Sequence, residues 1–237
     1  MPNSYFQFKQ FIINQDKCAM KVTTDGCLFG ATCAEVMQSS QLLNTALDIG
    51  AGTGLLSLMV AQKNPTKIDA IEIDESAYSQ AKENIENSLW KEQITIFHAD
   101  IIKFSTDKKY DCIFTNPPFY QDDLRSIHLN KNKAKHDESL TLIELLNCID
   151  KRLNKNGIFL VLLPYHRSNY FETEAAKLKF FLTKKIAVKQ TPKHTYFRTI
   201  LIFSRKENAT LNQEIIIKDE NGNYTKEFYE LLKDYYL

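Results

Sequence analysis

The chain has 237 residues, a formal net charge of +1, and 43% hydrophobic, 25% charged and 11% aromatic residues. That balance builds a hydrophobic core and excludes wholesale disorder, while seven Gly and six Pro exclude a collagen-like or low-complexity chain. The longest apolar run, 158–163, is far short of the roughly 20 residues of a membrane-spanning helix, so none is expected.

The N-terminus mixes Asn, Ser, Gln and Lys with aromatics and holds no apolar signal core. The five cysteines, at 18, 27, 33, 112 and 148, are odd in number and form no Cys-x-x-Cys pair. That pattern argues against a disulfide scaffold or zinc site and for a reducing compartment, the cytoplasm. No His/Cys/Asp group has ligand spacing, so no metal is expected. The small net charge hides an asymmetry. Residues 1–120 carry 10 basic and 14 acidic side chains, residues 121–206 carry 17 and 8, and residues 207–237 carry 3 and 7. A basic middle section in a neutral chain suits a local polyanion-binding face, or a lysine-rich solvated surface.

Short apolar runs alternate with amphipathic stretches. Residues 45–50 read as a buried strand, 54–63 as a helix, 67–74 as a strand, 75–88 as a helix, and 94–100 and 110–116 as strands. Residues 140–154 read as a helix opened by a Thr141/Glu144 capping box, followed by a strand at 157–164 and a helix near 168–181. Alternating strand and helix implies a parallel sheet covered on both faces. Residues 184–191 and 196–205 have no helix between them and should pair antiparallel. The last segment, 214–237, reads as a short strand, an Asn221-Gly222 turn and an aromatic-bearing helix packed on the domain. Seven strands ending in a hairpin resemble the sheet of class I methyltransferases.

The first of these strands runs into Asp48-Ile-Gly50-Ala-Gly52-Thr-Gly54-Leu. A glycine-rich strand-to-helix turn lets a ligand approach the backbone, and the helix N-terminus favours an anionic group. A nicotinamide dinucleotide loop wants Gly-x-Gly-x-x-Gly; here the third Gly comes one residue early and Leu55 fills that position. The Asp-x-Gly-x-Gly-x-Gly spacing instead resembles the S-adenosylmethionine loop, and a merely structural turn is the alternative. The next strand ends in Ile71-Glu72-Ile73-Asp74, about 20 residues beyond the loop, where a carboxylate can accept both ribose hydroxyls. Alternation favours Glu72 for that role, with Asp74 as a helix cap. Asp100, followed by Ile101, ends the third strand and can accept from an adenine amino group. His98 reads as surface or structural.

The fourth strand ends in Asn116-Pro117-Pro118-Phe119, followed by Tyr120. Two prolines force a rigid, extended exit from a buried strand. An exocyclic or amide amine is a poor nucleophile. The Asn116 side-chain oxygen and the Pro117 carbonyl can each accept one of its hydrogens, which stabilises developing charge and orients the lone pair. Phe119 can stack on a planar group. The tetrapeptide resembles the Asn-Pro-Pro-(Phe/Tyr) signature of amino-methyltransferases. That signature spans adenine-N6, guanine-N2 and protein-glutamine methylation.

The N-terminal block narrows the choice. It runs Phe6-Gln-Phe-Lys-Gln-Phe11, then Gln15-Asp16, then Cys18-Ala-Met-Lys21-Val22-Thr-Thr-Asp25-Gly26-Cys-Leu28-Phe-Gly30-Ala31. Together with the glycine loop, the tetrapeptide and the C-terminal Asn-Tyr-Thr-Lys-Glu-Phe-Tyr run, it resembles the bacterial tRNA1(Val) adenine-N6 methyltransferases over nearly the whole chain. Thr23 stands where a smaller residue is expected, and Phe119 replaces the Tyr of some relatives; both rings can stack. The resemblance implies S-adenosylmethionine as cofactor and an adenine beside the anticodon as target. It implies that Lys21, Thr24, Asp25 and Leu28 line the cofactor pocket with Asp48, Gly50, Gly52, Gly54, Glu72, Asp100, Ile101 and Asn116.

An RNA partner agrees with the charges. Arg125, His128, Lys131, Lys133, Lys135 and His136 follow Tyr120, and Lys193, His194, Tyr196 and Arg198 lie in or beside the late hairpin turn. Such contacts bind phosphates with little sequence readout. A single domain over 1–237 is expected, with a covering segment at 1–40, a catalytic core at 41–206 and an extension at 207–237. A monomer acting on a tRNA anticodon stem-loop is expected, with no membrane and no obligate protein partner. The alternatives are a glutamine or guanine-N2 methyltransferase, and a non-catalytic RNA-binding subunit with the same fold.

Overall fold

The computed structural model describes residues 3–40, 43–117 and 140–237. Strands β1 (Tyr5–Gln7) and β2 (Ile12–Asn14) pair antiparallel as a separate hairpin. Helix α1 (Thr24–Gln38) follows, capped by Thr23, whose Oγ1 accepts from Gly26 N at 3.2 Å. Then come β3 (Thr45–Ile49), α2 (Leu55–Lys63), β4 (Lys67–Glu72), α3 (Glu75–Glu86), β5 (Ile94–His98) and β6 (Tyr110–Thr115). Helix α4 (Leu142–Arg152) leads directly into β7 (Leu153–Pro164), then a 3-10 turn at Tyr165–Arg167 and α5 (Ser168–Lys177). The chain ends with β8 (Phe181–Lys189), β9 (Tyr196–Ser204), β10 (Leu211–Ile216) and α6 (Lys226–Leu232).

The main sheet has the order β10-β8-β9-β7-β6-β3-β4-β5. Strands β3 to β7 are parallel, and β9 runs antiparallel to both β7 and β8. The seven expected strands are therefore present, and β10 adds an eighth by pairing parallel with β8. Helices cover both faces because these strands are apolar on both sides. One core packs Leu28, Phe29, Leu56, Met59, Phe114, Leu160, Ile200 and Phe228; the other packs Leu47, Ile113, Leu146, Phe159, Phe171 and Phe203.

Caps fix the helix starts. Asp74 Oδ1 accepts from Ala77 N at 2.8 Å and starts α3, while the Thr141/Glu144 capping box starts α4 as its sequence predicts. Helix α1 lies against α2, and Gly30 permits the approach: a Cβ there would sit 3.2 Å from Met59 Cβ. The register aligns Ile49 with Ile71 and Thr115, and Glu72 with His98. The carboxyl ends of β3, β4, β5 and β6 therefore meet at one edge, where ligands bind in open α/β sheets.

Candidate active site

At the end of β3 the loop turns on three left-handed glycines, Gly50 (φ 75), Gly52 (φ 56) and Gly54 (φ 80). Any side chain there is strained. A Cβ on Gly50 or Gly52 meets nothing within 4 Å, so the loop borders open space. Gly50 N and Ala51 N both donate to Ile71 O, at 2.9 and 3.0 Å, tying the loop to β4. Glu72 at the end of β4 completes the tie. Its Oε2 accepts from Gly52 N at 2.8 Å, and its Oε1 accepts from Ile73 N and Asp74 N at 2.9 Å each. One lone pair on Oε2 remains for a ligand. Ile73, apolar yet 58% exposed, offers a flat contact beside it.

Asp48 lies beneath this loop. It is fully buried, Ser57 Oγ donates to its Oδ2 at 2.7 Å, and its Oδ1 has no partner among the described residues. It braces the loop against α2 from below, where a pocket-lining residue would need exposure. Burial pushes its carboxyl up from 3.8 to about 7. Between those values the folded chain holds the proton and the unfolded chain does not, so stability falls as pH rises through that window and levels off above it. Asp48→Asn should flatten the fall, read as melting temperature against pH. Parallel curves for the two proteins would contradict this role.

Asp100 begins the turn after β5. Its Oδ1 accepts from Ile102 N at 2.8 Å, and its side chain is 24% exposed. Ile101 is buried, and its carbonyl accepts from Arg152 Nη2 at 2.8 Å. The same guanidinium reaches Phe104 O at 2.5 Å and Cys148 O at 3.2 Å, so a buried arginine of α4 holds the turn. His98 is structural: its Nε2 lies 3.0 Å from Ile73 O and its ring stacks on Tyr78.

Asn116 follows β6, whose end is tied to β3 by Thr115 Oγ1 donating to Ile49 O at 2.8 Å. That tie sets Asn116 level with Gly50. Its Oδ1 is buried with no partner among the described residues, and Pro117 is buried. An amide oxygen left without a donor is costly unless a ligand supplies one. Pro118, Phe119, Tyr120, Arg125, His128, Lys131, Lys133, Lys135 and His136 lie outside the described residues.

The N-terminal hairpin docks on α3 and the glycine loop. Asn84 donates to Asn14 O and Thr53 O at 2.9 Å each, and Gln80 Oε1 accepts from Lys17 N at 2.9 Å. Lys21 Nζ donates to Gln15 O, and Gln15 Oε1 accepts from Val22 N at 2.7 Å, closing the segment on itself. Thr24 opens α1. Asp25 pairs with Arg198 Nε at 2.7 Å, so a residue expected at the cofactor and one expected at the RNA meet each other. Leu28 is fully buried in the core and backs the pocket rather than lining it. Lys193 lies in the exposed turn between β8 and β9, at the same sheet edge as Asn116.

Sequence reasoning did not single out Gln80, Asn84 or Arg152, and quoted Gln15 only as part of the N-terminal block. All four are buried polar groups bonded to backbone carbonyls or amides of other segments, Arg152 also to Cys148 O within α4, so each reads in the sequence as an ordinary solvated side chain. The open space over Gly50 and Gly52, the Glu72 carboxylate and the Asn116 oxygen, unpartnered among the described residues, together fit a nucleoside-bearing cofactor beside an amine acceptor.

Comparison with known proteins gives the same picture. The model of the methyltransferase small domain family matches residues 31–167. A tRNA1(Val) (adenine(37)-N6)-methyltransferase of Dyadobacter fermentans is 43% identical over 240 residues, covering 99% of this chain and 98% of that protein. One of the same name from Bacteroides thetaiotaomicron is 37% identical, covering 100% of this chain and 99% of its own. A solved structure from Agrobacterium tumefaciens, described as a predicted O-methyltransferase, superposes with a TM-score of 0.64 at 12% identity, covering 85% of this chain and 95% of that one.

Proposed function

The chain belongs to the methyltransferase small domain family and, within it, to the tRNA1(Val) (adenine(37)-N6)-methyltransferases, and from that premise we propose how its residues carry the reaction. The protein transfers a methyl group from S-adenosylmethionine to N6 of adenine 37 in tRNA1(Val). Asn116 Oδ1 and the Pro117 carbonyl each accept one N6 hydrogen. They draw the amine lone pair out of conjugation and stabilise the positive charge that develops on nitrogen. S-adenosylmethionine supplies the activated methyl group when bound. The surplus N6 proton leaves to solvent after transfer, so no strong base is required first. Phe119 stacks on the extruded adenine.

Glu72 accepts from a ribose hydroxyl through the remaining lone pair of Oε2, Asp100 accepts from the cofactor's amino group, and the start of α2 faces its carboxylate. Lys21, Thr24 and Asp25 belong to the segment that closes over it. The observation that carries this reading is the buried Asn116 oxygen, without a donor among the described residues and level with the glycine loop. Methylation of unmodified bulk tRNA, digested and read as nucleosides, tests it: N6-methyladenosine supports it, and N2-methylguanosine or no methylated nucleoside overturns it.

The RNA side rests on the basic residues that follow Tyr120 in the sequence and on the β8–β9 turn. Changing Lys131, Lys133 and Lys135 together to Ala should weaken tRNA binding and lower the slope of log affinity against log salt by about 2, since each single-strand phosphate contact adds about 0.7. An unchanged slope removes these lysines from the interface.

One catalytic unit is supported by the C-terminal extension, whose Tyr235 OH donates to Met59 O at 2.9 Å and whose Tyr235 O accepts from Lys9 N at 2.8 Å. No helix among the described residues is long and apolar enough to cross a membrane, and all five cysteines are buried and unpaired. We read the protein as a cytoplasmic monomer acting on tRNA.

A further inference from the structure

Two tyrosines meet at the active edge: Tyr196, one of the residues read from the sequence as lying beside the late hairpin turn, and Tyr165, given no role so far. Tyr165 follows the end of β7 and Tyr196 begins β9, and their ring centroids lie 4.8 Å apart at 31°. We propose that this pair is a stacking platform for the nucleotide next to the target adenine. The proposal rests on the reading of the site as a tRNA adenine methyltransferase and names a further positioning element for it.

Placement is the first argument. Thr115 pairs with Val161, so Asn116 is level with Leu162, and Tyr165 lies three residues further on, just past the end of β7 at Pro164. At 3.3 Å per residue the offset is about 10 Å, within reach of the neighbouring nucleotide once the loop is splayed around an extruded base. Exposure is the second. The ring pairs of Phe159 with Phe180 and Phe203 are fully buried, whereas Tyr165 and Tyr196 are both half-buried at the sheet edge. A core pair needs no exposed face, and a base platform does.

Charge is the third. Lys189 Nζ lies 4.5 Å from the Tyr196 centroid and Lys185 Nζ lies 5.9 Å from that of Tyr165. Each lysine is pinned by a carboxylate, Lys189 by Glu214 at 2.9 Å and Lys185 by Glu172 at 2.7 Å. The Tyr196 hydroxyl donates to the same Glu214 at 2.5 Å. Rings and cations are thus held in place before RNA arrives, which lowers the ordering cost of binding. Aromatic faces beside cations are the elements that bind single-stranded nucleic acid without reading its sequence.

The test uses the full chain and an anticodon stem-loop carrying 2-aminopurine immediately 5′ or 3′ of the target adenine. Wild-type protein should quench one of the two probes on binding. Tyr165→Ala and Tyr196→Ala should abolish the quench and weaken RNA binding about 5- to 150-fold, the range for losing one base–aromatic stack. Binding of S-adenosylmethionine should be unchanged. Tyr165→Phe and Tyr196→Phe keep the rings and should retain quench and affinity. Wild-type binding without a quench at either position overturns the platform, and that readout needs no variant to fold. Phe variants as weak as the Ala variants overturn it too, because the hydroxyls rather than the rings would then matter. Neither result touches the catalytic reading, which falls only if wild-type protein fails to methylate the target adenine.

Discussion

Asn116→Ala lowers turnover at least tenfold and leaves the affinity for S-adenosylmethionine near that of the wild type. The amide oxygen is buried, lacks a donor among the described residues and sits beyond β6, across from the glycine loop that would carry the cofactor. Its contact is with the amine, and the charge it stabilises exists only as the carbon–nitrogen bond forms. A group acting in the transition state lowers kcat and kcat/KM together when removed. Removal of one hydrogen-bonding group from an oxyanion site costs about a hundredfold or more, and a partner at Pro117 would soften the loss here. Single-turnover methylation paired with calorimetry separates the two effects. An equal loss of cofactor affinity would move Asn116 into the cofactor site.

Glu72→Ala has the opposite signature. It weakens S-adenosylmethionine binding by about 10- to 150-fold, the equivalent of one hydrogen bond to a charged group at about 1.5–3 kcal/mol. It also lowers the melting temperature. Three backbone N–H groups, of Gly52, Ile73 and Asp74, lose their acceptor at a nearly buried position, so the loop and the start of α3 loosen together. At saturating cofactor, turnover should recover much of its wild-type value, since Glu72 touches no reacting atom. Calorimetry and a thermal melt without ligand check both halves. An unchanged cofactor affinity would leave Glu72 as a structural brace alone.

The contrast between these residues shows what can be read from the chain itself. The five parallel strands, the glycine turn and the Asp74 and Thr141 caps were readable because apolar runs, left-handed glycines and capping boxes are local signals. Helix α1 was not. Ten of its fifteen residues are buried, so it has no polar stripe to set a helical period. Strands β1 and β2 are three residues each, too short for alternation to register. Strand β10 reads only as a short strand opening 214–237; its place beside β8 depends on a chain reversal over 205–210 that no local pattern encodes.

The site divides the same way. Glu72 and Asn116 were found because strand ends and a rigid Pro-Pro exit mark them. Asp48 sits in the glycine motif but beneath the loop, because strand alternation points it away from the open side. The Asp25–Arg198 pair joins residues 173 positions apart, and each alone reads as a ligand contact. Arg152 reads as a helix-end charge, yet it is buried on three carbonyls that hold the Asp100 turn.

The central claim is methyl transfer to one nitrogen of one nucleotide. Its most direct test is methyl transfer from labelled S-adenosylmethionine to an unmodified tRNA1(Val) transcript, run beside a transcript with guanine in place of adenine 37. Label on the first transcript alone, recovered as N6-methyladenosine, is the predicted result. Equal label on both, or label recovered on any other atom, would contradict it.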